Sequence, residues 1–323
     1  MQAEERPAGG WAASNQVADA AVVVAYDGSP QAAAALRWGA HEAMAQSVPL
    51  DLVTAWQRPP LARAGSSTDP AHDHAQGFAQ QLVARAAATV PRGPGAHLQV
   101  RQHLQEGFPT SVILQRAHGA RLLVMGTAGH VGSIGALLGS VSRRVVERVD
   151  VPVVLLGPEA VGYVESRLVV VARCGAIDPW ALSWAVQRAR RRPGRRLHLL
   201  DTWSTPGQGL GMVEESARRQ ARHQAEAAHT QALDQLRGLA GNVPLDDALF
   251  EGRAADIERA HGLPGDLLVV AARDIEQRPS LSHLRCPVAI VPRGLVGPAP
   301  GGEARGSLFG WREGQPQMSG TKC

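Results

Sequence analysis

The sequence predicts a Rossmann-like α/β protein built from two doubly wound halves in tandem, each with a five-stranded parallel sheet. Three observations point there. Short apolar runs alternate with longer helix-like stretches, the pattern of a parallel sheet covered by helices. The same order of runs then occurs a second time. Finally, a Gly/Ser-rich loop follows the fourth run and opens a helix, at the carboxyl edge where open α/β sheets take their ligands.

In the first half the strands are placed at 21–25 (AVVVA), 50–56 (LDLVTAW), from His97 to Val100, 121–125 (RLLVM) and 151–156 (VPVVLL). Helices are placed between them at 31–46, 74–89, 110–118 and 140–149. Pro152 at the head of the fifth run suits an edge strand, where a missing donor is tolerated.

The second half mirrors this order. Residues 168–172 (LVVVA) match the first run, and 196–203 (RLHLLDTW) match the second. Residues 266–270 (DLLVV) match the fourth, and 286–292 (CPVAIVP) match the fifth. The offset is about 147 residues at the first run and about 145 at the fourth, then about 135 at the fifth. A repeat holding register over four strands is a duplication, and the second copy lacks about ten residues after its fourth strand. Residues 213–239 read as its cover helix, charged on one side and alanine-rich on the other. The organisation is therefore a flexible tail over 1–18, a first domain over 19–160, a second over 161–294 and a tail over 295–323.

Composition bounds the function. The chain has 323 residues, 44% hydrophobic and 19% charged, as in a soluble globular protein. No apolar run is long enough for a membrane helix, and the N-terminus carries Glu4 and Glu5 rather than an apolar signal region. The three cysteines are odd in number and far apart, which suits a reducing cytoplasm. Net charge is +4, concentrated in Arg188, Arg190, Arg191, Arg192, Arg195 and Arg196. That run reads as a helix C-terminus complementing its dipole. No aromatic residues are interleaved with it, so neither nucleic acid nor membrane is expected as a partner.

The chemistry lies in the stretch the second half lacks. Gly126-Thr127-Ala128-Gly129 is followed, nine residues on, by Gly139-Ser140-Val141-Ser142. Gly126 and Gly129 let the backbone approach a ligand closely. Gly139, Ser140 and Val141 offer N–H groups at a helix start, where partial positive charge suits phosphate, and the hydroxyls of Ser140 and Ser142 add donors. Asp27, in Tyr26-Asp27-Gly28-Ser29-Pro30, lies on the same sheet edge. The loop also reads as a ligand-free capped turn, and Asp27 as a helix cap or Asx turn.

Taken together, a strand ending in Asp-Gly-Ser, the spacing Gly-x2-Gly-x9-Gly-Ser before a helix, and Val-Pro-Val-Val opening the last strand resemble the universal stress protein family. The likeness is close over about residues 20–157 and looser to about 293. It implies the strand order 3-2-1-4-5 in each half. It also implies ATP as ligand, with Mg2+ carried on its phosphates, held by Asp27 at the nucleoside end and Gly126, Gly129, Gly139, Ser140, Val141 and Ser142 around the phosphates. Thr54 and Ala55 would meet adenine through their backbone, and Met125 and Ala25 would line the base pocket. Family members dimerise through the fifth strand. Here that implies either a homodimer or an intramolecular pseudo-dimer pairing 153–156 with 288–291, with an unknown protein as further partner.

The second half departs from the pattern, with Ala172-Arg173-Cys174-Gly175 in place of Asp-Gly-Ser and 271–276 (AARDIE) in place of the glycine loop. Asp274 and Glu276 there would repel phosphate. His72, Asp73, His74 and Asp69 are placed in a polar loop and lack the spacing of a metal site. Cys174 reads as a buried, inert thiol. A P-loop ATPase is excluded because Lys322 is the only lysine. The expected function is an ATP-binding stress-response regulator with a live first half and no catalytic residues. The alternatives are a weak ATP hydrolase or nucleotidyl-transfer enzyme, and a nucleotide-free interaction scaffold.

Overall fold

Val22–Ala25 (β1) is an unbroken apolar run with every side chain buried, as a strand covered on both faces requires. It is followed by Pro30–Gln46 (α1), Leu50–Trp56 (β2), Pro70–Thr89 (α2), Val100–Glu106 (β3), Pro109–Ala117 (α3), Leu122–Gly126 (β4), Ser140–Val146 (α4) and Val153–Leu156 (β5). The second half runs through Arg167–Arg173 (β6), Pro179–Arg190 (α5), Arg196–Trp203 (β7), Glu215–Ala240 (α6), Leu245–Glu251 (β8), Ala254–His261 (α7), Asp266–Ala271 (β9) and Val288–Val291 (β10). The computed structural model describes residues 21–58, 70–90, 98–127, 138–157, 160, 167–173, 175, 177–192, 194–205, 215–272 and 285–293. The expected tails, Gly129, Cys174, Asp274 and Glu276 lie outside them.

Local chemistry sets the helix starts. Ser29 caps α1, its Oγ accepting from Ala32 N at 3.1 Å, and Pro30 occupies the first turn, where no donor is needed. Asp178 caps α5, its Oδ1 accepting from Trp180 N and Ala181 N at 3.0 and 3.2 Å.

The strands form one ten-stranded sheet in the order β3-β2-β1-β4-β5-β10-β9-β6-β7-β8. Each half thus has the 3-2-1-4-5 order that the family resemblance implies. All ladders are parallel except the seam, where β10 runs antiparallel to β5 with Val288 opposite Leu155, Ala289 opposite Val154 and Ile290 opposite Val153. The last strand of each half closes the edge of the other, so the expected pairing of 153–156 with 288–291 is made within one chain. Pro152 and Pro287 stand just before their strands, and their carbonyls accept from Leu123 N and Leu268 N, each at 3.0 Å.

Two apolar layers cover the sheet, and both cross the seam. One joins Leu36 and Trp38 of α1 and Val83 of α2 to Leu182 of α5 and Leu233 of α6. The other joins Val112 of α3 and Val145 of α4 to Val270, Val288 and Ile290. A buried ion pair pins the halves together within the first layer. Arg188 of α5 donates to both carboxylate oxygens of Glu42 in α1, at 2.6 and 2.7 Å. Its guanidinium lies 5.3 Å from the ring centre of Trp38 and 5.2 Å from that of Trp184.

The structure differs from the sequence reading at three places. β3 begins at Val100, not His97, and runs to Glu106. The third strand of the second half, β8, had no sequence assignment. His72 and Asp73 belong to the first turn of α2, which begins at Pro70 rather than at His74, and the His72 ring packs edge-on to Trp56 at 5.0 Å between centroids. Among the described residues, no three metal-binding side chains cluster, and no helix is long and apolar enough to cross a membrane.

Candidate functional site

β2, β1 and β4 lie side by side in register, with Ala25 opposite Val53 and Val24 opposite Val124. Their carboxyl ends therefore emerge together, bringing Thr54-Ala55, Tyr26-Asp27 and Met125-Gly126 to one edge. Tyr26 N donates to Val53 O at 2.8 Å and Thr54 Oγ1 to Tyr26 O at 3.0 Å, which fixes the β1 exit against β2.

Beyond that exit the chain turns sharply. Asp27 Oδ1 accepts from Ser29 N at 2.9 Å, making an Asx turn, and Gly28 supplies the φ of 86° that the turn requires. The turn and the cap belong to different residues: Ser29 caps α1, and Asp27 is left exposed at the sheet edge. Tyr26 is half-buried. Its phenol is pushed up by desolvation and by the Asp27 carboxylate, against a smaller opposing effect of Arg37.

The loop after β4 returns to the same edge. Thr127 N donates to Leu156 O at 3.0 Å, and Gly139 N donates to Thr127 O at 2.7 Å. Ser142 Oγ donates to Gly126 O at 2.9 Å. The first bond holds the end of β4 beside β5, and the other two tie the start of α4 to it. Arg143 N is the first amide to bond within the helix, on Gly139 O at 3.0 Å. The N–H groups of Ser140, Val141 and Ser142 therefore have no intrahelical acceptor, and Gly139 has no side chain to cap them. Ser140 is exposed and Ser142 is buried with its hydroxyl already engaged. Ala25, Ala55, Met125 and Val141 pack in one apolar layer beneath the edge, with Met125 fully in the core.

The sequence reading thus gathers Asp27, Ala55, Met125, Gly126, Gly139, Ser140, Val141 and Ser142 at one place, and Gly129 lies outside the described residues. It passed over Thr127. That side chain is 1% exposed, and its Oγ1 has no hydrogen-bond partner among the described residues. Its position inside the Gly126–Gly129 loop was the available signal.

The matching edge of the second half is built differently. Asp201 takes the position of Thr54 and is wholly buried. Its Oδ2 accepts from Gly175 N at 2.9 Å and its Oδ1 from Thr202 N at 2.8 Å. Burial pushes its carboxyl up, against the opposing bonds from Gly175, His229 and Thr202. His229 of α6 sits between Asp201 and Asp247, with contacts of 3.3 and 3.1 Å. A Cβ on Gly175 would fall 2.4 Å from Ala228 O, so the β6 exit turn is pressed against the α6 backbone.

Comparisons with known proteins agree with this architecture. The pattern described as "Universal stress protein family" matches residues 20–157. A universal stress protein of Thermus aquaticus is 36% identical over 140 residues, covering 42% of this chain and 96% of that protein. One from Mycobacterium tuberculosis H37Rv is 27% identical over 214 residues, covering 61% of this chain and 70% of that protein. The crystal structure of a universal stress protein from Archaeoglobus fulgidus shares the fold across 85% of this chain and 96% of its own, with a TM-score of 0.56 at 18% identity. The chain belongs to the universal stress protein family, with the family fold present twice in tandem.

Proposed function

We propose that the first half binds one ATP and that the second half binds none, making the protein a nucleotide-responsive regulator in the cytoplasm. The observation that carries this reading is the start of α4. Three adjacent N–H groups have no intrahelical acceptor there, under a glycine cap that Thr127 and Gly126 hold in place. Such donors at a helix start suit phosphate oxygens. Ser140 Oγ would add a donor. Gly139 leaves the approach clear, and exposed Asp27 is placed to accept from the nucleoside. Thr54-Ala55 would meet the base. Mg2+, where present, would ride on the phosphates.

Among the described residues, none at this edge is placed as a catalyst. Asp27 is committed to its turn through one oxygen, and no general base stands beside the α4 donors among the described residues. For the second half, silence is supported by the buried Asp201–Gly175 bond and the contact of Gly175 with α6, which fill the equivalent edge. The test is the nucleotide content of the purified chain, followed by ATP titration of wild type and Gly139→Glu. One ATP per chain, lost in a folded Gly139→Glu variant, is the expected result.

A further inference from the structure

The arginine run marks a different surface, in the second half, at the amino ends of its strands rather than at the carboxyl ends where the nucleotide loop of the first half sits. β7 begins at Arg196, so the turn before it lies at the amino edge of the second half. There α5 and α6 end side by side, and the turns that follow enclose an open groove of about 520 Å3. Arg190, Arg192, Arg195, Gly194, Gly241 and Asn242 line it, and among the described residues no acidic side chain does.

Part of this charge is structural. Arg190 Nη2 donates to Leu239 O at 2.6 Å and Arg195 Nη1 to Arg188 O at 3.4 Å, each serving a helix C-terminus. Arg192 Nη2 reaches Glu42 at 3.1 Å. A guanidinium carries five donors, and the single bonds of Arg190 and Arg192 among the described residues each occupy only one of them. Glu42 pairs with Arg188 and Arg192, and Asp246 pairs with Arg196. Beside the groove, desolvation chiefly, then Arg121 and Arg188, push the Arg191 pKa down, with Glu42 opposing.

The groove combines forked cations with open backbone. A Cβ on Gly194 would meet nothing within 4 Å, so a ligand can approach the chain itself. No aromatic side chain lines the groove, which disfavours stacked bases. We propose that the groove between the ends of α5 and α6 binds a compact phosphate chain, with Arg190 and Arg192 as its forks and buried Arg195 as the fixed charge at its base. Guanidinium forks match phosphate oxygens in pairs, and several oxygens on one short chain can engage several forks at once.

The test uses the full-length chain and calorimetric titration with pyrophosphate at low salt, in wild type and in Gly139→Glu. One saturable site should persist in Gly139→Glu, weaken about tenfold in Arg190→Gln, weaken less in Arg190→Lys, and keep its affinity in the distant Arg218→Gln. ATP that competes with pyrophosphate in Gly139→Glu would identify a nucleotide tail as the source of the phosphate chain; ATP that does not would identify free oligophosphate. The proposal is overturned by no saturable binding, by equal weakening in Arg218→Gln, by complete loss in Gly139→Glu, or by preference for a single-stranded oligonucleotide at equal phosphate.

Discussion

Glu42 and Arg188 stand 146 positions apart at equivalent places in the two halves, and the pseudo-twofold relation of the halves brings them face to face. Trp38 and Trp184, also 146 apart, flank the same guanidinium. Two like residues at this site would bury like charges against each other, and one acid with one arginine removes the conflict. The seam therefore recognises two different halves. Reversing either charge alone, as Glu42→Arg or Arg188→Glu, should cost about 3 kcal/mol or more. The double exchange should recover a large part of that loss. Urea unfolding of the four proteins measures the coupling, and a double mutant no better than the sum of the singles would refute it.

Acid should loosen the same contact. Burial alone would raise the Glu42 carboxyl, but Arg188, Arg192 and Gln46 outweigh it and hold it below its ordinary 4.5. Asp51 is likewise raised by burial but held below 3.8 overall by His103 and Arg101. A depressed carboxylate stabilises the fold fully above its unfolded pKa, and that contribution is lost as pH falls through the folded value. Stability should be level above about pH 5 and decline below it. Glu42→Gln should lower the plateau and flatten the decline; an unchanged acid limb in that variant would contradict the assignment.

Much of this was legible in the sequence, for definite reasons. The central strands are continuous apolar runs, so β1, β2, β4 and β5 and their counterparts β6, β7, β9 and β10 stood out, whereas the pairing of β5 with β10 was one of two arrangements that the family resemblance implied. β8 did not. It is an edge strand carrying Asp246 and Asp247, which Arg196 and His229 satisfy from neighbouring elements, and the two acids break its apolar pattern. The first turn of α2 was read as loop because Pro70, His72 and Asp73 look like turn residues, although Pro and Asp also suit a helix start. Glu42–Arg188 was invisible because it depends on how the halves dock. Thr127 was hidden by its glycine neighbours.

Thr127 gives a sharp test of the candidate site. Thr127 Oγ1 is buried with no partner among the described residues, so Thr127→Val, nearly the same shape, should leave stability within about 1 kcal/mol or raise it. If the hydroxyl meets the nucleotide, ATP affinity should nevertheless fall about fivefold to tenfold. Parallel melting and titration separate the two effects. Unchanged affinity would make Thr127 a packing residue only.

Gly175 should tolerate nothing larger. Its φ is 73°, and a Cβ would meet Ala228 O at 2.4 Å, so Gly175→Ala should destabilise the second half by about 1–3 kcal/mol. Denaturant unfolding checks this, and a neutral substitution would mean that the β6 exit is not held against α6.

The central claim is one live nucleotide site per chain. The most direct measurement is the ATP bound per purified full-length chain, with a titration of Gly139→Glu beside wild type. One ATP per chain in wild type, and none in a Gly139→Glu variant that remains folded, is the expected result. Two ATP per chain, or undiminished binding in Gly139→Glu, would contradict it.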